Sequence, residues 1–106
     1  MEQVGQTFVF DYGDFAVKVG YLSASKLEWE QVKGPEVGTK AQETYESAQV
    51  GPGVYFLSWQ EQDTAVVAQV VDFKRGVVHT TYVSPDQKVF RMKGSVHPAA
   101  KQHESE

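Results

Sequence analysis

A chain of 106 residues has room for one domain, because two half-sized cores would each bury too little apolar surface, whereas a single domain of this size buries roughly 65% of its unfolded surface. Apolar residues at 41% and charged residues at 23% are ordinary globular proportions, which excludes disorder and collagen-like repeats. Ten basic against fourteen acidic residues leave a net charge of −4 with no Lys/Arg block, arguing against a nucleic-acid partner, and the absence of cysteine excludes a disulfide scaffold, a thiolate nucleophile and any cysteine-ligated metal.

Taken in order, the chain reads as short runs of β-branched and aromatic residues broken by turn clusters, the pattern of an all-β protein. Met1-Glu2-Gln3 runs directly into Thr7-Phe8-Val9-Phe10 with no basic or apolar leader segment, so a cytoplasmic location is the expectation. The first strand is predicted at 6–12, followed by a turn at Gly13-Asp14. The second, at 15–22, ends in Ser23-Ala24-Ser25, and the third, at 26–33, stops at Gly34-Pro35. The segment 39–50 is the least clear; Ala41-Gln42-Glu43-Thr44-Tyr45-Glu46 suits either helix or strand, and strand is preferred. Gly51-Pro52-Gly53 is a strong turn, with no following Lys-Ser/Thr that would make it a phosphate loop. Strands follow at 54–60, 64–73, 77–83 and 88–96, separated by turns near Glu61-Gln62-Asp63, Lys74-Arg75-Gly76 and Ser84-Pro85-Asp86-Gln87. A polar tail is expected over 97–106, leaving one domain over 1–96. No apolar run approaches the roughly 20 residues a membrane helix needs.

About eight strands joined by short turns suggest a small antiparallel up-and-down β-barrel, because closure removes exposed strand edges. Such a barrel has room for side chains or for one small ligand. Alternation puts Phe8, Phe10 and Tyr12 on one face of the first strand, and Tyr55, Leu57, Trp59 and Glu61 on one face of the fifth. If those faces point inward, Glu61 ends an aromatic wall, and a carboxyl beside Trp59 in a dry cavity has its pKa raised toward the range useful for acid/base work. The plainer alternative is an exposed turn glutamate beside Gln62-Asp63. Tyr12, Tyr45 and Tyr55 are candidate hydrogen-bond donors inside the barrel, or simply amphipathic core residues. His79 falls mid-strand near Asp72 and Ser58, but Ser58 lacks the Gly-x-Ser-x-Gly setting of a nucleophile elbow. His97 and His103 make no metal spacing with His79, so no metal and no cofactor is expected.

Several of these segments carry a resemblance. Gly5-Gln6-Thr7-Phe8, the Tyr12-Gly13-Asp14 turn, Leu27-Glu28-Trp29, Glu43-Thr44-Tyr45, Gly53-Val54-Tyr55-Phe56-Leu57-Ser58-Trp59-Gln60-Glu61, Val71-Asp72-Phe73, Gly76 and Met92-Lys93-Gly94 together resemble the MoaF-like domain, over residues 5–96. That resemblance implies a calycin-like barrel, related in shape to lipocalins, although the Gly-x-Trp signature of lipocalins is absent from the first strand. The Ser-Trp-x-Glu segment is also similar to that of the phenolic acid decarboxylases, which use two tyrosines on the first strand, an arginine on a middle segment and the glutamate of that motif. On this similarity Glu61 matches the glutamate and Tyr12 the second tyrosine; Phe10 stands at the first tyrosine, and Gly38-Thr39 lies where the arginine would be.

The expectation is a small-molecule-binding barrel whose mainly apolar or aromatic ligand meets Phe8, Phe10, Tyr12, Tyr45, Tyr55, Leu57, Trp59, Glu61 and His79. The alternatives are an enzyme with Glu61 as acid/base and Tyr12 as donor, and a structural or oligomerisation module with a filled interior. Whether the protein forms a homodimer stays open.

Overall fold

The computed structural model describes residues 1–99. Its strands are β1 (Thr7–Asp11), β2 (Ala16–Tyr21), β3 (Lys26–Lys33), β4 (Lys40–Thr44), β5 (Glu46–Gly51), β6 (Val54–Gln60), β7 (Val66–Asp72), β8 (Val77–Val83) and β9 (Val89–Pro98). They form a single nine-stranded sheet in the order β4-β3-β2-β1-β9-β8-β7-β6-β5, antiparallel at every pairing. The two ends of that order, β4 and β5, are consecutive in the chain and separated only by Tyr45. A sheet whose opposite edges belong to one bent segment has to roll up, and β4 accordingly meets β6 across the seam. The result is the nearly closed all-β barrel expected from the sequence.

The strand count differs from the expected eight because the segment 39–50 breaks at Tyr45. Tyr45 is turned inward and 2% exposed. Its backbone N–H donates to Ser25 O at 3.0 Å, and its hydroxyl donates to Ser23 O at 2.7 Å. These two bonds pin the corner onto the β2–β3 turn, so one long strand serves both edges of the sheet. At the other end of the chain β9 runs two residues past the expected stop: Val9 pairs with His97 and Phe8 with Pro98, and Ala99 N–H donates to Thr7 O. The remainder of the expected tail, 100–106, lies outside the described residues.

Turn chemistry sets the hairpins. In the β5–β6 connection Pro52 presets its own φ and Gly53 takes φ +72°, a conformation that costs glycine little. Inward and outward residues then alternate along each strand. On β6, for example, Tyr55, Leu57 and Trp59 are buried while Phe56 and Gln60 are exposed.

The inward face divides along the barrel axis. At one end Phe8, Tyr21, Leu27, Tyr45, Tyr55, Leu57, Val71, Val78 and Val96 are packed together. Partly buried Phe73 plugs this end, with ring centroids 4.9 Å from Phe8 and 6.1 Å from Tyr55. The other end stays open. No helix long and apolar enough to cross a membrane occurs among the described residues.

Candidate functional site

The open end of the barrel encloses a cavity of about 930 Å³. Its apolar walls come from Phe10 (β1), Val17 and Val19 (β2), Trp29 (β3), Trp59 (β6), Val67 (β7) and Tyr82 (β8). Each is the inward member of its alternation, and cross-strand register brings them level: Val17 opposite Phe10, Trp29 opposite Val19, Trp59 opposite Val67. Glu61, Tyr12, Gln69 and Thr80 supply polar groups to the same space.

Those polar groups fall into two sets. In the first, the Tyr12 and Thr80 hydroxyls are hydrogen-bonded at 2.7 Å, and Gln69 Nε2 donates to Thr80 Oγ1 at 3.1 Å and to the Tyr12 oxygen at 3.3 Å. Burial pushes the Tyr12 phenol above its ordinary value, and the bonds to Thr80 and Gln69 partly offset this. Tyr12 has room because Gly94 faces it: a Cβ on Gly94 would lie 2.6 Å from Asp11 O and 2.8 Å from the tyrosine ring. Phe15 stacks on the other side of the ring, 4.9 Å between centroids.

The second set is a pair of tryptophan–glutamate contacts. Trp59 Nε1 donates to Glu61 Oε2 at 3.2 Å, and Trp29 Nε1 donates to Glu43 Oε2 at 2.9 Å. Glu61 is held at the mouth by its own backbone, whose N–H donates to Ala65 O at 2.8 Å. Burial raises the Glu61 carboxyl above its ordinary range; the Trp59 N–H works against that rise, and the charges of Glu43 and Asp63 add to it. Glu43, on β4 opposite Leu27, is only 7% exposed.

The expected ligand-binding residues separate into three groups. Phe10, Tyr12, Trp59 and Glu61 line the cavity. Phe8, Tyr45, Tyr55 and Leu57 also point inward, but they sit in the packed end and belong to the core. The reading that treated each inward face as one continuous wall overlooked this difference in height along the strands. His79 requires a correction, because it is exposed on the outer face between buried Val78 and Thr80. Strand alternation allows it no other side.

Several cavity residues escaped the sequence reading. Gln69 and Thr80 are polar positions in the inward rows Val67-x-Gln69-x-Val71 and Val78-x-Thr80-x-Tyr82, and a polar residue interrupting an apolar row was the available signal. Glu43, which is not itself part of the cavity wall but holds Trp29 in it, was hidden by the helix-or-strand ambiguity of its segment. Trp29 was visible only as part of a motif.

The chain matches the MoaF-like family model over residues 4–97. It belongs to the MoaF-like family. No curated protein matches it in sequence. Among solved structures, this MoaF-like chain is similar to a Burkholderia vietnamiensis protein described as a "putative beta-lactamase", with TM-score 0.88 and 25% identity over 91% of this chain and 94% of that one.

Proposed function

We propose that this MoaF-like protein binds a small molecule with an apolar or aromatic body in the open end of its barrel. One observation carries the reading: a 106-residue chain keeps a cavity of about 930 Å³ walled by aromatic and aliphatic side chains, with a few polar groups converging on it. Protein interiors ordinarily close such space, and ligand sites have this size and character. The chain's two tryptophans both line the cavity, so its intrinsic fluorescence reports on occupancy. N-phenyl-1-naphthylamine, a neutral aromatic probe, should bind saturably at one site per chain, brightening as it leaves water and quenching Trp29 and Trp59. Absence of saturable binding, together with no co-purifying small molecule in a native mass spectrum, would overturn the reading.

A second reading is favoured by the raised carboxyl of Glu61 at the cavity wall, which suits an acid/base group with Tyr12 as hydrogen-bond donor. The name of the Burkholderia protein suggests a third chemistry, but the residues here are spent otherwise. Ser23-Ala24-Ser25-Lys26 has the Ser-x-x-Lys spacing of serine beta-lactamases. Ser23 Oγ accepts the backbone N–H groups of Ser25 and Lys26, and Lys26 Nζ donates to Thr44 Oγ1. Those contacts belong to the β2–β3 turn, at the closed end of the barrel.

A further inference from the structure

The register of the barrel keeps basic side chains out of its inward rows. Inward positions run through Phe8, Phe10 and Tyr12 on β1 and its turn; Val17, Val19 and Tyr21 on β2; Leu27, Trp29 and Gln31 on β3; and Ala41 and Glu43 on β4. They continue through Tyr55, Leu57 and Trp59, ending at Glu61; Val67, Gln69 and Val71; Val78, Thr80 and Tyr82; and Phe90, Met92, Gly94 and Val96. Among these described positions the ionisable carboxyls are Glu43 and Glu61, and there is no lysine, arginine or histidine. Arg91 borders the mouth through its place on β9, but it pairs with Thr81 in the outward register and also lines a depression on the outer face with His79 and Lys93. The ion pairs among the described residues join Lys33 to Asp11, Arg75 to Asp72 and Lys88 to Asp86, and none reaches Glu43 or Glu61.

A carboxylate withdrawn from water is normally matched by a cation or by several hydrogen bonds. Here each of the two is oriented by one indole N–H. Those same indoles line the cavity together with the rings of Phe10, Tyr12, Phe15 and Tyr82. Aromatic walls around an anionic group are the chemistry that recognises an ammonium ion, which gains from ring faces and from the carboxylate together. Glu36 and Asp63 at the rim add to the negative field over the entrance.

We propose that the cavity selects an organic cation: an apolar or aromatic body carrying one protonated amine, with the ammonium at the Glu61 carboxylate and the body against Trp29, Trp59 and Phe10. This rests on the small-molecule-binding reading above and adds the charge of the ligand to it. The roles of the two glutamates differ. Glu61 lines the cavity and meets the ammonium, whereas Glu43 stands behind Trp29, fixing that indole and contributing charge at longer range.

The test uses three probes with one body and three head groups, 4-phenylbutylamine, 4-phenylbutanol and 4-phenylbutyrate, titrated against tryptophan fluorescence at about pH 8, where the amine probe is protonated and the butyrate probe ionised. The amine should bind at least about tenfold more tightly than the alcohol, and the butyrate most weakly; one such decade corresponds to 1.4 kcal/mol. Glu61→Gln should bring the amine to within about threefold of the alcohol, with an unchanged far-UV circular dichroism spectrum as the control for the integrity of the fold. Glu43→Gln should lower the preference for the amine by a smaller factor. Alcohol binding as tight as amine binding, or a preference that survives in Glu61→Gln, would overturn the cation assignment while leaving the barrel a binder of neutral molecules. If none of the three probes binds, both readings fall.

Discussion

Replacing Trp29 by Phe keeps an aromatic ring but removes the N–H that holds Glu43. The bond is 2.9 Å long, and Glu43 is 7% exposed with no ion-pair partner among the described residues. A hydrogen bond to a charged group contributes about 1.5–3 kcal/mol, and a buried carboxylate that loses its donor incurs a desolvation cost at the upper end of that range or beyond. Trp29→Phe should therefore destabilise the protein by about 2–3 kcal/mol, of which roughly 1 kcal/mol is lost ring area. For a domain near this size that is a fall in Tm of about 4–8 °C per kcal/mol. The assay is urea unfolding followed by the fluorescence of the remaining Trp59, run as a double-mutant cycle with Glu43→Gln. With the charge gone, the orphaned amide costs less, and Trp29→Phe in that background should cost about 1 kcal/mol. A coupling energy below about 0.5 kcal/mol, with Trp29→Phe costing the same in both backgrounds, would refute the claim that the indole compensates a buried charge.

Three further outcomes are expected. Glu61 should titrate above its ordinary value when followed by carboxyl NMR, since burial outweighs the Trp59 N–H, while Glu43 and Asp63 add repulsion and the Tyr82 phenol is a further titratable group close enough to feel its charge. Because the folded pKa is the higher one, the folded state holds more protons just above the ordinary value; stability at this group falls as pH rises through that window, and Glu61→Gln should leave stability at neutral pH unchanged or slightly improved. Leu57→Ala, at a fully buried position in the packed end, should cost about 2–5 kcal/mol in chemical denaturation, and a cost below about 1 kcal/mol would mean that this end is not the close-packed core described here. Finally, p-coumarate and ferulate should not be decarboxylated at enzyme-like rates, because Phe10 and Thr39 line the cavity and the sequence resemblance to the decarboxylases would call for a tyrosine and an arginine there; vinylphenol release abolished by Glu61→Gln would show that those two side chains are dispensable.

Reading the site from sequence succeeded where a rule of local geometry was enough. Period-two alternation placed Phe10, Trp59 and Glu61 on inward faces, and all three line the cavity. The rule was not carried to β8, where the expectation of His79 as a ligand residue fails because the inward side is fixed by Val78, Thr80 and Tyr82. Glu43 went unrecognised for a different reason. Its segment is weak in β propensity, and it forms a strand because Tyr45 is anchored to Ser23 and Ser25, residues about twenty positions away.

By itself, then, the sequence determined the all-β class, the hairpin order and the absence of cysteine chemistry, since these follow from turn residues, side-chain alternation and composition. Tertiary structure decided the rest. The corner at Tyr45 makes one segment serve both sheet edges and so closes the barrel. Packing around Phe73 fills one end and leaves the other open, because inward residues at different heights meet different neighbours. Register across β3–β4 and β6–β7 then brings two tryptophan–glutamate pairs from distant parts of the chain to a single interior, where each indole N–H meets a carboxyl group, for Trp29 one that the sequence alone did not connect to it.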